Sequence, residues 1–403
     1  MQTSIPSAAR WSLLLFIVAG PAHGDAGDVF NITLGQTFGH DSNVFKLSEE
    51  TDARARIGTA DPADRYASTS IRLTADKRIG RQMLHGATGL TEKRYDRFKR
   101  FDSSLRDYSL GWDWQFGHLW SGNLSTSRTQ TTPGFEELRA TVSDVVTSDA
   151  AAFRALLAFH PDWRLVLGAT ASRANHSAAV NSFSNTRVSG ADYGLRYAPG
   201  SGREVGVRWR STNATYPNAP LVGGVTADNS YRENAIDFDT GWETGGKSRM
   251  QLGLGRVDRQ HRQAANRDYA GQTGSLAWNW SPTVKTSLGI NARQALTAAD
   301  GLSAASAKLK SYGFSLGWQP TVKLALTGAL EYRQREAAAD PAAAQLGLSA
   351  RLDDERTGSL GISYTPWRDV RLNATWRTEQ RDSNTPGFSY KAKQVILAAN
   401  VTF

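Results

Sequence analysis

The chain has no cysteine, 3 methionines and 7 histidines among 403 residues. Without cysteine there can be no disulfide scaffold and no thiol chemistry, so stability has to come from another source. No stretch approaches 18 consecutive apolar residues, which excludes a transmembrane helix. One histidine lies in the N-terminal segment, and none of the others has metal-ligand spacing or sits in a nucleophile motif. His176-Ser177 is adjacent in sequence but lies in an expected loop. No cofactor, no metal site and no enzymatic activity are expected. Hydrophobic residues make up 40% of the chain. That is little for a buried soluble core of this size, but enough for strands that need one apolar face.

What is present begins with a targeting segment. Arg10 is the only charge before the short apolar run Trp11 to Val18, and Ala22-His23-Gly24 is small at the two positions a signal peptidase reads. Cleavage is expected after Gly24, leaving residues 25–403 as a single domain. The whole chain has 47 Lys+Arg against 38 Asp+Glu, a net charge of +9. Removing residues 1–24 takes away one arginine and no acid. The positive balance suggests anionic partners. Behind a signal peptide, a nucleic-acid partner is not expected.

The C-terminal stretch Tyr390 to Phe403 alternates, with Ile396 as an exception on the mostly small or polar face. Val395, Leu397, Ala399, Val401 and Phe403 share one face, with Gln394, Ile396, Ala398, Asn400 and Thr402 on the other. Upstream, Asp28 to Gly39 alternates in the same way, placing Phe30, Ile32, Leu34 and Phe38 together. Between them a unit recurs about every 40 residues: strand, very short turn, strand, long polar loop. The short turns fall at Arg78–Gly80, Gly117–His118, Pro161–Asp162, Pro199–Gly202, Thr244–Lys247, Ser281–Thr283, Gln319–Thr321 and Thr365–Arg368. Trp280-Ser281-Pro282-Thr283-Val284-Lys285 is repeated as Trp318-Gln319-Pro320-Thr321-Val322-Lys323. A β-propeller would need four short strands per repeat, whereas each unit here holds two strands long enough to cross a membrane at a tilt. The expected fold is all-β: a transmembrane antiparallel up-and-down β-barrel of about 18 strands, with short periplasmic turns and long extracellular loops. It would sit in a Gram-negative outer membrane with both termini periplasmic, and its last strand would close on Asp28–Gly39. The aromatic end, Phe403 with Val401 and Leu397, is read as the signal to a barrel-assembly machinery.

Phenylalanines, tyrosines and tryptophans cluster beside the short turns, among them Phe116, Trp120, Trp163, Tyr197, Trp280, Trp318 and Trp367. Such rings suit a membrane–water boundary. The strand phasing puts Arg72, Arg154, Arg164, Arg196, Arg208, Arg210, Lys285, Arg293, Lys323, Arg333, Arg371 and Arg377 on the lumen side. It also puts Asp107, Asp113, Asp192, Glu204, Asp237, Asp239, Glu243 and Glu331 there. Two readings stay open: a channel wall with a mild preference for anions, or cross-strand ion pairs that brace the barrel. The basic run Lys93 to Phe101 is interleaved with aromatics. At the outer leaflet its cations Arg94, Arg97, Lys99 and Arg100 would meet lipopolysaccharide phosphates or an anionic polymer.

After the first strand comes His40-Asp41-Ser42-Asn43-Val44-Phe45-Lys46-Leu47. This stretch resembles the Asp-Asp-Asn-Leu-Phe-Arg type of segment near the mature N-terminus of EpsL-like outer-membrane proteins. Asp41, Asn43, Phe45 and Lys46 match in kind, and Ser42 departs from the second Asp. Those proteins are β-barrels associated with exopolysaccharide biosynthesis, and the general layout is similar across the mature chain. The resemblance implies a channel or assembly factor for an extracellular polysaccharide, with outer-membrane lipids, the polymer and periplasmic export components as partners. The alternatives from the residues alone are a diffusion porin for small, preferentially anionic solutes and a structural or adhesive barrel with a plugged lumen.

Overall fold

The computed structural model describes residues 29–135, 142–200, 202–219, 221–222, 225–226, 228–263, 268–298, 304–339 and 351–403. The segment expected to be cleaved, residues 1–24, and Asp28 at the expected start of the first strand lie outside them.

Period-two patterning resolves into eighteen barrel strands. The first nine are β1 (Phe30–Asp41), β2 (Asp64–Ile79), β3 (Gln82–Tyr95), β4 (Ser103–Phe116), β5 (Trp120–Thr131), β6 (Val146–Leu157), β7 (Trp163–His176), β8 (Thr186–Tyr197) and β9 (Arg203–Thr215). The second nine are β10 (Tyr231–Thr244), β11 (Ser248–His261), β12 (Tyr269–Thr283), β13 (Thr286–Ala298), β14 (Ala304–Trp318), β15 (Leu324–Ala339), β16 (Leu352–Trp367), β17 (Val370–Ser383) and β18 (Tyr390–Thr402). Each pairs antiparallel with its sequence neighbour, and β18 pairs with β1 from Thr33↔Thr402 to Asp41↔Gln394. Closure leaves no open edge. The expected 18-stranded up-and-down barrel is the observed fold.

The apolar residues point out. Leu110, Val207, Ile236, Leu254, Leu330, Leu360 and Leu397 are all exposed, each on the outward face of its strand. An outward band of this size is unstable in water and suits hydrocarbon. Trp163 and Tyr197 pair beside their short turns with ring centroids 4.9 Å apart, where a membrane boundary suits them.

Three details depart from the strands as read from sequence. β1 continues past Gly39 to Asp41, because β18 offers ladder partners as far as Gln394. β12 and β16 run through Pro282 and Pro366 instead of ending there. The register shifts between Trp280 and Thr283, and again between Tyr364 and Trp367. A bulge absorbs a residue that has no N–H to give the ladder.

The short turns lie at or within a few residues of the expected places, displaced past Pro282 and Pro366 to 284–285 and 368–369, and glycine shapes several of the others. Gly80 and Gly117 adopt φ of 59° and 62°, a region that penalises other residues. At the opposite end the connections are long. The first contains a short helix, α1 (Ala53–Ile57), capped by the Asp52 carboxylate accepting from the N–H groups of Arg54 and Ala55. Among the described residues, the buried hydrophobic cluster belongs to these loops: Val44, Phe45, Ile57, Phe98 and Phe101.

Candidate functional site: the lumen and its loop-end mouth

The register places ten of the twelve expected lumen cations on the inward face: Arg72, Arg154, Arg164, Arg196, Arg208, Arg210, Arg293, Arg333, Arg371 and Arg377. Lys285 and Lys323 are not on the wall. Both stand in short turns, where Lys285 Nζ donates to Pro320 O at 2.9 Å and Lys323 Nζ to Pro366 O at 2.8 Å. The repeated Trp-x-Pro-Thr-Val-Lys segments thus latch each turn to the next. The same inward face carries cations that sequence phasing missed, among them Lys93, Arg249, Arg259 and Arg381. Asp76, Glu233, Asp353, Glu355 and Glu379 are also there, five acids against these four cations.

Most of the inward carboxylates are paired. Arg72 reaches Asp107 at 2.8 Å, and Arg196 bridges Glu204 at 3.4 Å and Asp239 at 3.2 Å. Arg208 reaches Asp237 at 3.6 Å and Arg249 reaches Glu243 at 2.6 Å. Arg333 joins Glu331 at 2.9 Å to Glu355 at 3.2 Å, and Arg377 meets Glu379 at 3.2 Å. Asp113 is held by His85 and Asn123, and Asp192 has no ion pair among the described residues. Bracing therefore accounts for much of the wall charge. By contrast Lys93, Arg154, Arg164, Arg293 and Arg371 face inward with no ion pair among the described residues.

The loop-end mouth is built around the segment that follows β1. Asp41 accepts from the Asn43 N–H at 2.8 Å and from Gln394 Nε2 at 2.7 Å, and it pairs with Lys46 at 3.4 Å. Asn43 Oδ1 accepts from the Leu47 N–H at 2.9 Å while Nδ2 donates to the carbonyls of Leu47 and Lys391. This knot holds Lys46 at φ 52°, the positive-φ non-glycine among the described residues. Lys46 also meets Glu379 at 3.2 Å. The reversal drives Phe45 inward to 2% exposure. Its ring centroid lies 4.7 Å from Phe98, 5.3 Å from Phe101 and 4.9 Å from Phe135. Asp41, Asn43, Phe45 and Lys46 thus act together to fold the first long loop against two others.

A second knot ties neighbouring loops. Asp144, just before β6, accepts from His176 Nδ1 at 2.7 Å, Asn181 Nδ2 at 2.8 Å, the Ala178 N–H at 3.0 Å and Ser177 Oγ at 3.2 Å. Burial pushes its carboxyl pKa up, but these donors outweigh that and hold it below the ordinary value of 3.8. The Ser177 hydroxyl bonds this carboxylate and not the imidazole Nε2, so the three residues do not form a charge-relay arrangement.

Between the knots is a cavity of about 210 Å³, lined by Lys46, Tyr66, Lys93, Tyr95, Phe101 and Phe135 together with neighbouring loop residues. Lys93 Nζ lies 4.2 Å from the Tyr66 ring centroid and 4.8 Å from that of Tyr95. Tyr66 reaches this position because Gly39 is beneath it, where any Cβ would collide with the ring. In the sequence Lys93 heads the basic run Lys93 to Phe101, which is expected at the outer leaflet. Instead β3 extends to Tyr95 and turns Lys93 inward. The other cations of that run are occupied or outside: Arg97 binds Asp61 at 2.6 Å, and Arg94 pairs with Glu92 at 2.8 Å.

Fold and wall are those of an outer-membrane type of closed β-barrel, apolar outside and charged within. Residues 234–403, which span β10–β18 almost completely, match the family described as "Putative beta-barrel porin 2". Solved barrels from Pseudomonas aeruginosa are similar over nearly the whole chain. OccK2 (OpdF) is 12% identical, with TM-score 0.52 over 93% of this chain and 98% of its own. OpdK crystallised with vanillate is 11% identical, with TM-score 0.50 over 93% and 99%. OccK2 in complex with glucuronate is 11% identical, with TM-score 0.52 over 93% and 98%. No curated protein matches the chain significantly.

Proposed function

We propose that the chain is an outer-membrane channel for small anionic solutes, with the cavity around Lys93 as the recognition station at its loop-end mouth. One observation carries this reading. The wall's acids are mostly neutralised by arginines, whereas Lys93, Arg154, Arg164, Arg293 and Arg371 have no ion pair among the described residues. An anion passing inward meets cations whose charge is not already offset. At the mouth, Tyr66, Tyr95, Phe101 and Phe135 add ring surface beside the Lys93 ammonium, a combination that suits a carboxylate attached to a compact ring. The family match over β10–β18 supports the channel reading. Vanillate and glucuronate are both carboxylates, which makes them the first solutes to try.

Passage or assembly of an extracellular polysaccharide is the reading that the Asp41–Lys46 segment's resemblance implies. Against it, the four matching residues are engaged with one another, with Gln394 and with the phenylalanine cluster. A plugged structural barrel is favoured by one feature, the inward packing of Phe45.

The test is purified protein in planar bilayers and in liposomes. Anion-selective conductance, with vanillate or glucuronate uptake that falls when Lys93 is changed to Gln, is the expected result. A cation-selective pore would overturn the proposal. Absence of conductance would favour the plugged barrel.

A further inference from the structure

The outer face of β5–β8 carries a row of charges that the lumen function does not use. Cα pairing sets Arg128 opposite Asp149, Asp149 opposite Arg173, and Arg173 opposite Arg187. The row shares its strand faces with the exposed Leu124, Phe153, Leu167 and Tyr193, so it points away from the lumen. Arg128 Nε donates to Asp149 Oδ1 at 2.6 Å, and Arg173 Nε donates to Asp149 Oδ2 at 2.7 Å. One carboxylate thus fixes two guanidinium groups in one row. Arg187, next along it, has no ion pair among the described residues. Three cations against one acid leave the row positive.

Its depth follows from the strands. Trp163 and Tyr197 mark the boundary at the short-turn end, and Arg173 and Arg187 are each ten residues further along the same strands. Ten residues rise roughly 34 Å, or about 26 Å along the membrane normal at a typical barrel tilt. That is one apolar thickness from the aromatic boundary, so the row lies where headgroups of the far leaflet begin. The Tyr108 ring, 5.7 Å from the Arg128 guanidinium, adds an interfacial aromatic.

We infer that Arg128, Arg173 and Arg187, oriented by Asp149, bind the phosphate of an anionic lipid headgroup in the leaflet at the loop end. Guanidinium pairs match phosphate oxygens bidentately, and a desolvated interface strengthens the contact. The site is separate from the solute pathway and does not depend on the channel reading.

Full-length barrel is purified in detergent and incubated with diphosphoryl lipid A, monophosphoryl lipid A, phosphatidylcholine or inorganic phosphate. Lipid retained through gel filtration is then measured by mass spectrometry. The wild type retains diphosphoryl lipid A in preference to phosphatidylcholine. The R173Q/R187Q double variant, verified as folded by heat-modifiable migration, loses retention by about tenfold. K308Q/K310Q, which removes the same charge from the outer face of β14, keeps it. R173K/R187K keeps part of it and guards against a folding artefact in the Gln variant. Equal loss in both Gln double variants, or unchanged retention in R173Q/R187Q, overturns the site. Binding of inorganic phosphate without retained lipid overturns the lipid as its occupant.

Discussion

Gln394 Nε2 donates to Asp41 Oδ2 at 2.7 Å, which joins the last strand to the first across 353 residues of sequence. The same carboxylate holds the Asn43 N–H and the Lys46 ammonium, so the seam and the inward-folded loop share one anchor. Asp41→Ala should loosen both. Stranding these buried partners costs about 1–3 kcal/mol, read as a lower temperature for the heat-modifiable band shift. A shift equal to wild type would show that the anchor is redundant.

Phe45→Ala should empty the centre of the loop cluster at a cost of about 3–5 kcal/mol to the packing of the loops. The eighteen strands do not depend on that cluster, so strand content by circular dichroism should stay constant. Single-channel current should become larger and noisier. A quiet, unchanged channel would mean that the loops are held without Phe45.

Gly39→Val should displace the Tyr66 ring, because a Cβ at residue 39 collides with it. Lys93 then loses one face of its aromatic sandwich. Solute affinity should fall while conductance of small ions is kept, which liposome uptake and bilayer current separate directly.

The Asp144 knot sets a pH dependence. Its carboxyl pKa lies below the ordinary value, so its contribution is complete above about pH 4 and disappears only as pH falls through the depressed value. Protection factors from hydrogen exchange at residues 142–145 and 177–185 should match at pH 7 and pH 5 and drop, an acceleration beyond the intrinsic rate change, only as the pH falls below the ordinary carboxylate value. Asp144→Asn should show the accelerated pattern already at pH 7.

Removing Phe403 should impair assembly more than any single lumen arginine substitution. Its backbone exchanges hydrogen bonds with Ile32 at 2.8 and 3.0 Å, completing the seam at the short-turn end. Wild-type amounts of heat-modifiable protein in the outer-membrane fraction would refute this.

Period-two patterning and turn chemistry were enough to place the eighteen strands, since each side chain's face follows from counting by two. The strand ends were harder to read. Pro282 and Pro366 look like stops, yet bulges carry β12 and β16 past them. Lys285 and Lys323 fit a lumen phase only if the strands begin where the prolines end. The acceptors they find instead are carbonyls 35 and 43 residues away. Lys93 is hard to read for a related reason: it stands at a strand end, at the head of a basic run expected to meet outer-leaflet anions, and only pairing with β2 turns the lysine inward. Which wall charges are free depends on partners several strands apart, as Arg196 and Asp239 illustrate.

The meeting of β1 and β18 makes the ladder a ring, in which the junction between them is one antiparallel pairing among eighteen. Ile32 and Phe403 are already hydrogen-bonded neighbours. A short peptide link there, with new ends cut into another tight turn such as Gly117–Leu119, would keep every strand pairing. The chain is linear, but its architecture is cyclic, and circular permutants should reach the same structure.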